Sequence, residues 1–135
     1  MAVDLNSLDQ ALNRAKELSS RSSGRIIIGI VGKPGAGKST LSKYLIENLP
    51  SETTSLVPMD GYHLSNLQLK ELNRADRKGA PDTFDVSGYV NLMKRILSDT
   101  HNDIYFPVFH REIEESLSAE GVVTKGTKFE SFFSL

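Results

Sequence analysis

Apolar positions fall into a succession of recognisable periods along the chain. Leu5, Leu8, Ala11, Leu12, Ala15 and Leu18 recur every three or four residues, which predicts an amphipathic first helix. Ser7 and Gln10 are placed to form a capping box at its start. A polar linker, Ser19 to Gly24, leads into Arg25-Ile26-Ile27-Ile28-Gly29-Ile30-Val31. That unbroken β-branched run predicts a parallel strand buried on both faces. Leu41, Tyr44, Leu45 and Leu49 predict a second helix, stopped by Pro50. Thr54 to Met59 reads as a second strand ending at Asp60, with Pro58 confined to the strand's end. Gly61 to Leu64 reads as a turn, and Leu64, Leu67, Leu69 and Leu72 as a short, imperfect helix. Val86, Tyr89, Val90, Met93 and Leu97 predict another helix with Asp85 as its N-cap. Ile104 to Phe109 reads as a third strand or extended segment, His110 to Glu115 as a polar stretch, and Val122-Val123 as the start of a fourth strand. Strands alternating with helices predict a three-layer α/β/α fold around a parallel sheet. There is no internal repeat and no low-complexity segment.

The junction between the first strand and the second helix narrows this picture. Gly32-Lys33-Pro34-Gly35-Ala36-Gly37-Lys38-Ser39 fits G-x-x-x-x-G-K-[ST], and Thr40 follows. Such a loop wraps polyphosphate with inward-pointing backbone N–H groups, and Gly32, Gly35 and Gly37 permit positive φ and close approach, with Ala36 between them. Lys38 brings a point charge to the β- and γ-phosphates. The Ser39 hydroxyl is a Mg²⁺ ligand in this pattern. The helix that begins here adds unpaired N–H groups and the positive end of its dipole, with Thr40 in the same turn. Strand, Gly-rich loop and helix occur in the order the motif requires. A P-loop NTPase fold that binds ATP with Mg²⁺ is therefore expected.

Composition removes several function classes. The 135 residues carry a net charge of −1, without the basic excess of a dedicated nucleic-acid binder. No apolar run approaches the roughly 18 residues of a membrane span. Asp4, Asp9, Arg14, Lys16 and Glu17 interrupt any signal-peptide core. With no cysteine, disulfides and cysteine-ligated metal sites are excluded. A cytoplasmic enzyme with ATP/ADP and a small molecule as partners, and with neither nucleic acid nor membrane, fits these facts.

Other residues have chemistry and a plainer reading side by side. Asp60 lies past a strand's carboxyl end, where ligands of open α/β sheets bind. There it can take a proton from an attacking hydroxyl or reach Mg²⁺ through water. The alternative is a turn-forming Asp before Gly61. His63 can bind substrate or serve as acid or base, or simply make a local hydrogen bond. Arg111 can clamp a phosphate or carboxylate, or pair with Glu114 or Glu115 at helical spacing. Glu112, Glu114 and Glu115 read as a solvated helix face rather than a metal cluster. The basic loop from Asn73 to Pro81, with Arg74, Arg77 and Lys78, either contacts an anionic substrate or is solvated. The first helix either packs on its own domain or mediates self-association.

Several segments together resemble one group of P-loop kinases. Gly-Ile-Val-Gly-Lys-Pro-Gly-Ala-Gly-Lys-Ser-Thr at 29–40 resembles the opening of uridine kinase, bacterial pantothenate kinase and phosphoribulokinase. Val57 to His63 resembles the group's second strand with its Asp-Gly-Phe/Tyr signature. Lys78 to Asp85 resembles its Gly-x-Pro-x-x-Phe-Asp segment. Tyr105 to Glu114 is similar to a bacterial branch of nucleoside/nucleotide kinase-like or fructose-kinase-like proteins. The resemblance spans residues 24–128, with 1–23 as an N-terminal helix and linker and 24–135 as the kinase-like core. It implies Asp60 as the catalytic base beside Lys38, and Tyr62, His63 and Arg111 as acceptor-contacting residues. The implied activity is transfer of the ATP γ-phosphoryl group to a hydroxyl of a nucleoside, sugar or pantothenate-like compound. A non-catalytic nucleotide-binding module or slow NTPase is the alternative. The departure from the group lies in Phe129 to Leu135, which stand where relatives have a strand ending in Glu-Gly, followed by an arginine-bearing lid. The expectation is a C-terminally truncated kinase with three or four strands and little turnover, and an exposed sheet edge that, like the N-terminal helix, invites homo-oligomers.

Overall fold

The computed structural model describes residues 7–33 and 35–133. The chain forms two compact units, one from Met1–Val57 with Gly126–Ser134 and one from Pro58–Lys125.

In the first unit, helix α1 (Leu8–Arg21) begins where Ser7 Oγ accepts a hydrogen bond from the Gln10 backbone N–H at 3.2 Å. Strand β1 (Ile26–Ile30) follows, then α2 (Lys38–Asn48) and β2 (Thr54–Leu56). The third strand of this sheet is β5 (Phe129–Phe133). It lies between the other two, parallel to both, with Ile26 paired to Phe129 and Ile30 to Phe133 on one side, and Thr54 to Phe129 on the other. The tail is thus the central strand of the sheet, contrary to the expectation that a strand is missing there. Its entry is fixed by backbone bonds from Ile26 N–H to the Lys128 carbonyl and from Lys128 N–H to the Thr53 carbonyl. The buried Arg25 Nε adds a bond to the Thr127 carbonyl at 2.9 Å. Helices α1 and α2 pack on each other and on the sheet. Leu12, Ala15, Ile30, Leu45 and Leu49 form the core there, with Ile26, Ile28, Leu41 and Tyr44 half-buried against it. Even-numbered β1 residues thus face the helices, as the two-residue strand period requires.

The second unit contains α3 (Asn66–Glu71), α4 (Val86–Ser98), β3 (Ile104–His110) and β4 (Glu115–Val123). Asp85 caps α4 as expected, accepting from Gly88 N–H at 3.0 Å. Strands β3 and β4 form an antiparallel hairpin, with Ile104 opposite Val123 and His110 opposite Glu115. Val122-Val123, expected to start a fourth strand, instead end one that begins at Glu115. Ile104, Phe106 and Val123 are buried with Leu69, Phe84, Leu92 and Ile96. The rest of β4 is largely exposed, so its composition carries no apolar run to announce it.

Candidate functional site

The Gly-rich loop joins β1 to α2. Gly35 and Gly37 adopt positive φ, +81° and +91°. Gly37 is the N-cap of α2 in the left-handed region and provides no side-chain capping bond. An L side chain there is strained, so glycine is what lets the chain turn directly from loop into helix. The first N–H groups of α2 are consequently left without a capping side chain, and they add to the positive end of its dipole. The loop is braced by a bond from Ala36 N–H to the Lys33 carbonyl at 3.0 Å. Lys38 Nζ folds back to donate to the Gly32 carbonyl at 2.6 Å. A flexible ammonium held over the loop, exposed hydroxyls at Ser39 and Thr40 and an uncapped helix start make an electropositive concavity. These residues fit a polyphosphate with its Mg²⁺: backbone N–H groups and Lys38 for the phosphate oxygens, Ser39 for the metal.

The remaining candidates lie in the second unit. Asp60 sits in a 3-10 turn, Met59–Tyr62, which packs against β3. Its half-buried carboxylate makes no hydrogen bond or ion pair among the described residues, while its carbonyl accepts from His63 N–H at 3.1 Å. His63 Nδ1 lies 2.6 Å from the same carbonyl. The His63 ring is stacked on Phe109, centroids 4.5 Å apart, and lies 4.2 Å from Phe84. The local hydrogen bond weighed for this histidine is therefore made. Tyr62 turns toward α4, edge-on to Tyr89 with centroids 5.4 Å apart. Burial pushes the Tyr62 hydroxyl above its ordinary pKa, with Asp85 acting in the same direction and Arg95 against it. Asp60, Tyr62 and His63 are thus brought into one turn. Arg111 stands exposed in the β3–β4 connection and pairs with neither Glu114 nor Glu115. Those two carboxylates are occupied elsewhere, Glu114 3.6 Å from Lys78 Nζ and Glu115 bonded to Asn66 N–H at 2.6 Å.

The acidic cluster is a hairpin connection rather than the helix face expected of it. Among the described residues no three His, Asp or Glu side chains gather as a metal site. The basic loop is internally matched. Arg74 and Arg77 both pair with Asp82, Arg74 at 3.5 Å. Lys78 donates to Asn66 Oδ1 at 2.7 Å and to the Glu114 carbonyl at 2.6 Å, and its Nζ lies 5.2 Å from the Phe109 ring centroid. Lys78 thereby ties the hairpin connection to α3 and to the ring that supports His63. Its charge alone marked it in the sequence. Its partners lie 12 and 36 residues away, so no local pattern could have shown its role.

Strand, glycine loop, helix and a parallel sheet define a P-loop NTPase fold. A crystal structure described as a putative fructose transport system kinase from a Silicibacter species superimposes with a TM-score of 0.78 at 29% identity, covering 96% of this chain and 64% of that one. A possible uridine kinase from Bacillus stearothermophilus shares the fold at a TM-score of 0.67 and 16% identity, with 94% of this chain and 68% of the other aligned. In sequence, a putative uridine kinase of Schizosaccharomyces pombe is 37% identical over 123 residues, 83% of this chain and 51% of its own length. A pantothenate kinase of Streptococcus pneumoniae is 31% identical over 107 residues, 76% of this chain and 34% of that enzyme. No model of a known protein family matches. The chain is a homologue of the P-loop kinases of the uridine kinase and pantothenate kinase group, and it spans about half or less of the length of these two relatives.

Proposed function

We propose that this chain is the nucleotide-binding part of an ATP-dependent small-molecule kinase, with a hydroxyl compound of the nucleoside, sugar or pantothenate kind as acceptor. The observation that carries the reading is the uncapped start of α2 behind two positive-φ glycines, with Lys38 folded over the loop. Bound Mg²⁺ would neutralise phosphate charge and orient the terminal phosphoryl group. Backbone N–H groups of Gly35 to Thr40 would hold the phosphates, Lys38 would balance charge at the β/γ end, and Ser39 would ligate the metal. Asp60 is proposed as the base for the acceptor hydroxyl. Its support is an unpaired, half-buried carboxylate on a turn supported by β3, together with the Asp-Gly-Tyr match to the kinase group. Tyr62, His63 and Arg111 are proposed to contact the acceptor. Arg111 has no partner of its own among the described residues, and the carboxylate in reach of a base role is likewise unspent on structure.

Calorimetry and a coupled ADP-release assay test this together. Lys38→Ala should weaken Mg²⁺-ATP binding by about 1.5–3 kcal/mol, the range for hydrogen bonds to charged groups. In a full-length relative, Asp→Asn at the position matching Asp60 should leave that affinity intact and lower acceptor-dependent ADP release by about 10²–10⁴-fold, as for loss of a general base. Equal nucleotide affinity in wild type and Lys38→Ala would remove the loop from the reading. Unchanged turnover of that variant relative would remove Asp60 from the base role.

A further inference from the structure

Pro107 has no N–H to give the β3–β4 ladder, and the pairing shifts there. Phe106 is paired with Gly121 and Val108 with Leu117, so Ser118, Ala119 and Glu120 stand opposite a single residue. Ala119 enters the left-handed region at φ +58°, uncommon for a residue with a side chain. Gly121 pins the far side of this bulge, because a Cβ there would lie 2.2 Å from the Phe106 ring. Bulges re-aim side chains, and this one brings Glu120 back to His110, its carboxylate 2.5 Å from Nε2. Glu112 approaches the other ring nitrogen at 3.5 Å. The turn that carries Arg111 is closed by a bond from Ile113 N–H to the His110 carbonyl at 3.3 Å. We propose that His110 is a proton-operated latch on this turn: protonated, it clips the turn to the bulge, and deprotonated, it releases it. The role of Arg111 in the proposal rests on the acceptor-site reading, which it deepens by making the placement of that residue depend on pH.

The ring dictates the two states. A neutral imidazole has one N–H and the imidazolium has two, so only the imidazolium donates to Glu120 and Glu112 at once. Loss of the proton turns a lone pair toward one of the two carboxylates, and the longer contact, to Glu112, parts. Glu112 lies within the turn, so its release loosens the segment that carries Arg111. The other charges nearby do not compete for the ring. Glu115, opposite His110 in the ladder, accepts from Asn66 N–H, and Glu114 is paired with Lys78. The turn Met59–Tyr62, packed on both strands, brings Asp60, with His63 beside it, and α4 packs on β3 with Lys94 and Arg95 exposed. None of these is an ion-pair partner of His110 among the described residues. The bond to Glu120 accordingly holds the His110 pKa above 6.5, with burial opposing it and Glu112 adding to it. The latch is closed below that raised value and opens as pH passes through it.

Amide exchange with water, followed by NMR on the full chain and corrected for the intrinsic effect of pH, tests the latch. The probe is the Ile113 N–H that closes the turn. Its protection in wild type should fall about two- to fivefold as pH rises from below 6.5 through the raised value, the size expected for loss of one exposed ion pair. His110→Gln and Glu120→Gln, both at the surface of the hairpin, should flatten that step and leave Ile113 at the lower protection throughout. Amides of α4 should keep wild-type protection in both variants, which shows that the fold is intact. Ile113 protection independent of pH in wild type overturns the latch. A wild-type step that survives in Glu120→Gln also overturns it, because the carboxylate brought in by the bulge would then have no part. Neither result touches the acceptor-site reading, which stands or falls on turnover of the relative altered at the position of Asp60.

Discussion

Gly61 shows how differently one residue reads in sequence and in space. Beside Asp60 it looks like half of an Asp-Gly turn pair, and its φ is not positive. What requires glycine is β3: a Cβ on Gly61 would lie 2.0 Å from the Pro107 carbonyl oxygen. Gly61→Ala must push the turn and the strand apart, and overpacking of this kind typically costs about 1–3 kcal/mol. Urea denaturation should show that loss, and an unchanged midpoint would mean the contact is looser than described. The same displacement would move the Asp60 carboxylate and the His63 ring that shares its carbonyl. The glycines of the phosphate loop were legible in the sequence because the whole demand is local, one turn between a strand and the helix it feeds. The tie made by Lys78 and the packing need at Gly61 were not, since their partners come from elements far along the chain.

At the scale of elements, α1, β1, α2 and α4 followed from apolar spacing and from the caps Ser7 and Asp85. The β3–β4 hairpin did not. Only Ile113, Leu117 and Ala119 interrupt the polar run from Glu112 to Glu120, so its charge pattern predicts a helix face for its first part. The connection instead holds a small titrating group. His110 Nε2 lies 2.5 Å from Glu120 and Nδ1 3.5 Å from Glu112. Glu115 stands opposite His110 in the ladder, Arg111 follows it, and Glu114 is taken up by Lys78. The Glu120 carboxylate, with Glu112 adding to it, holds the His110 pKa above 6.5. A folded-state pKa raised in this way stabilises the fold below the unfolded value and ceases to do so as pH rises through the folded value. The melting temperature of wild type should therefore exceed that of His110→Gln by most below pH 6.5, and the gap should close as pH rises above it through the raised folded-state value. A gap independent of pH would assign His110 a packing role only.

On the scale of the whole molecule, the parallel sheet depends on its last-numbered strand. β1 and β2 each pair with β5 and not with each other. A chain ending after Lys128 removes the shared partner of both, and burial of Ile26 and Ile28 against the helices alone cannot replace the lost ladders. Such a chain should lose cooperative unfolding of the Met1–Val57 unit and the nucleotide affinity that depends on it. Hydrogen exchange resolved along the sequence would show this as loss of protection in β1. Retained protection there would mean that α1 and α2 suffice to order the strand. No local pattern pointed to this arrangement, because what makes Phe129 to Phe133 a strand is its pairing with Ile26–Ile30 and Thr54–Leu56. Strand pairing between distant segments leaves no periodic mark in either of them.

The central place of β5 also sets a clock. Ile26 and Phe129 are neighbours across the ladder yet more than a hundred residues apart in the chain. At the usual pace of synthesis, about 5–20 residues per second, β1 waits on the order of 5–20 s for the strand beside it to be made. For that interval a run of isoleucines has helices to lean on but no ladder to join, and contacts of such long range are slow to form even once the chain is whole.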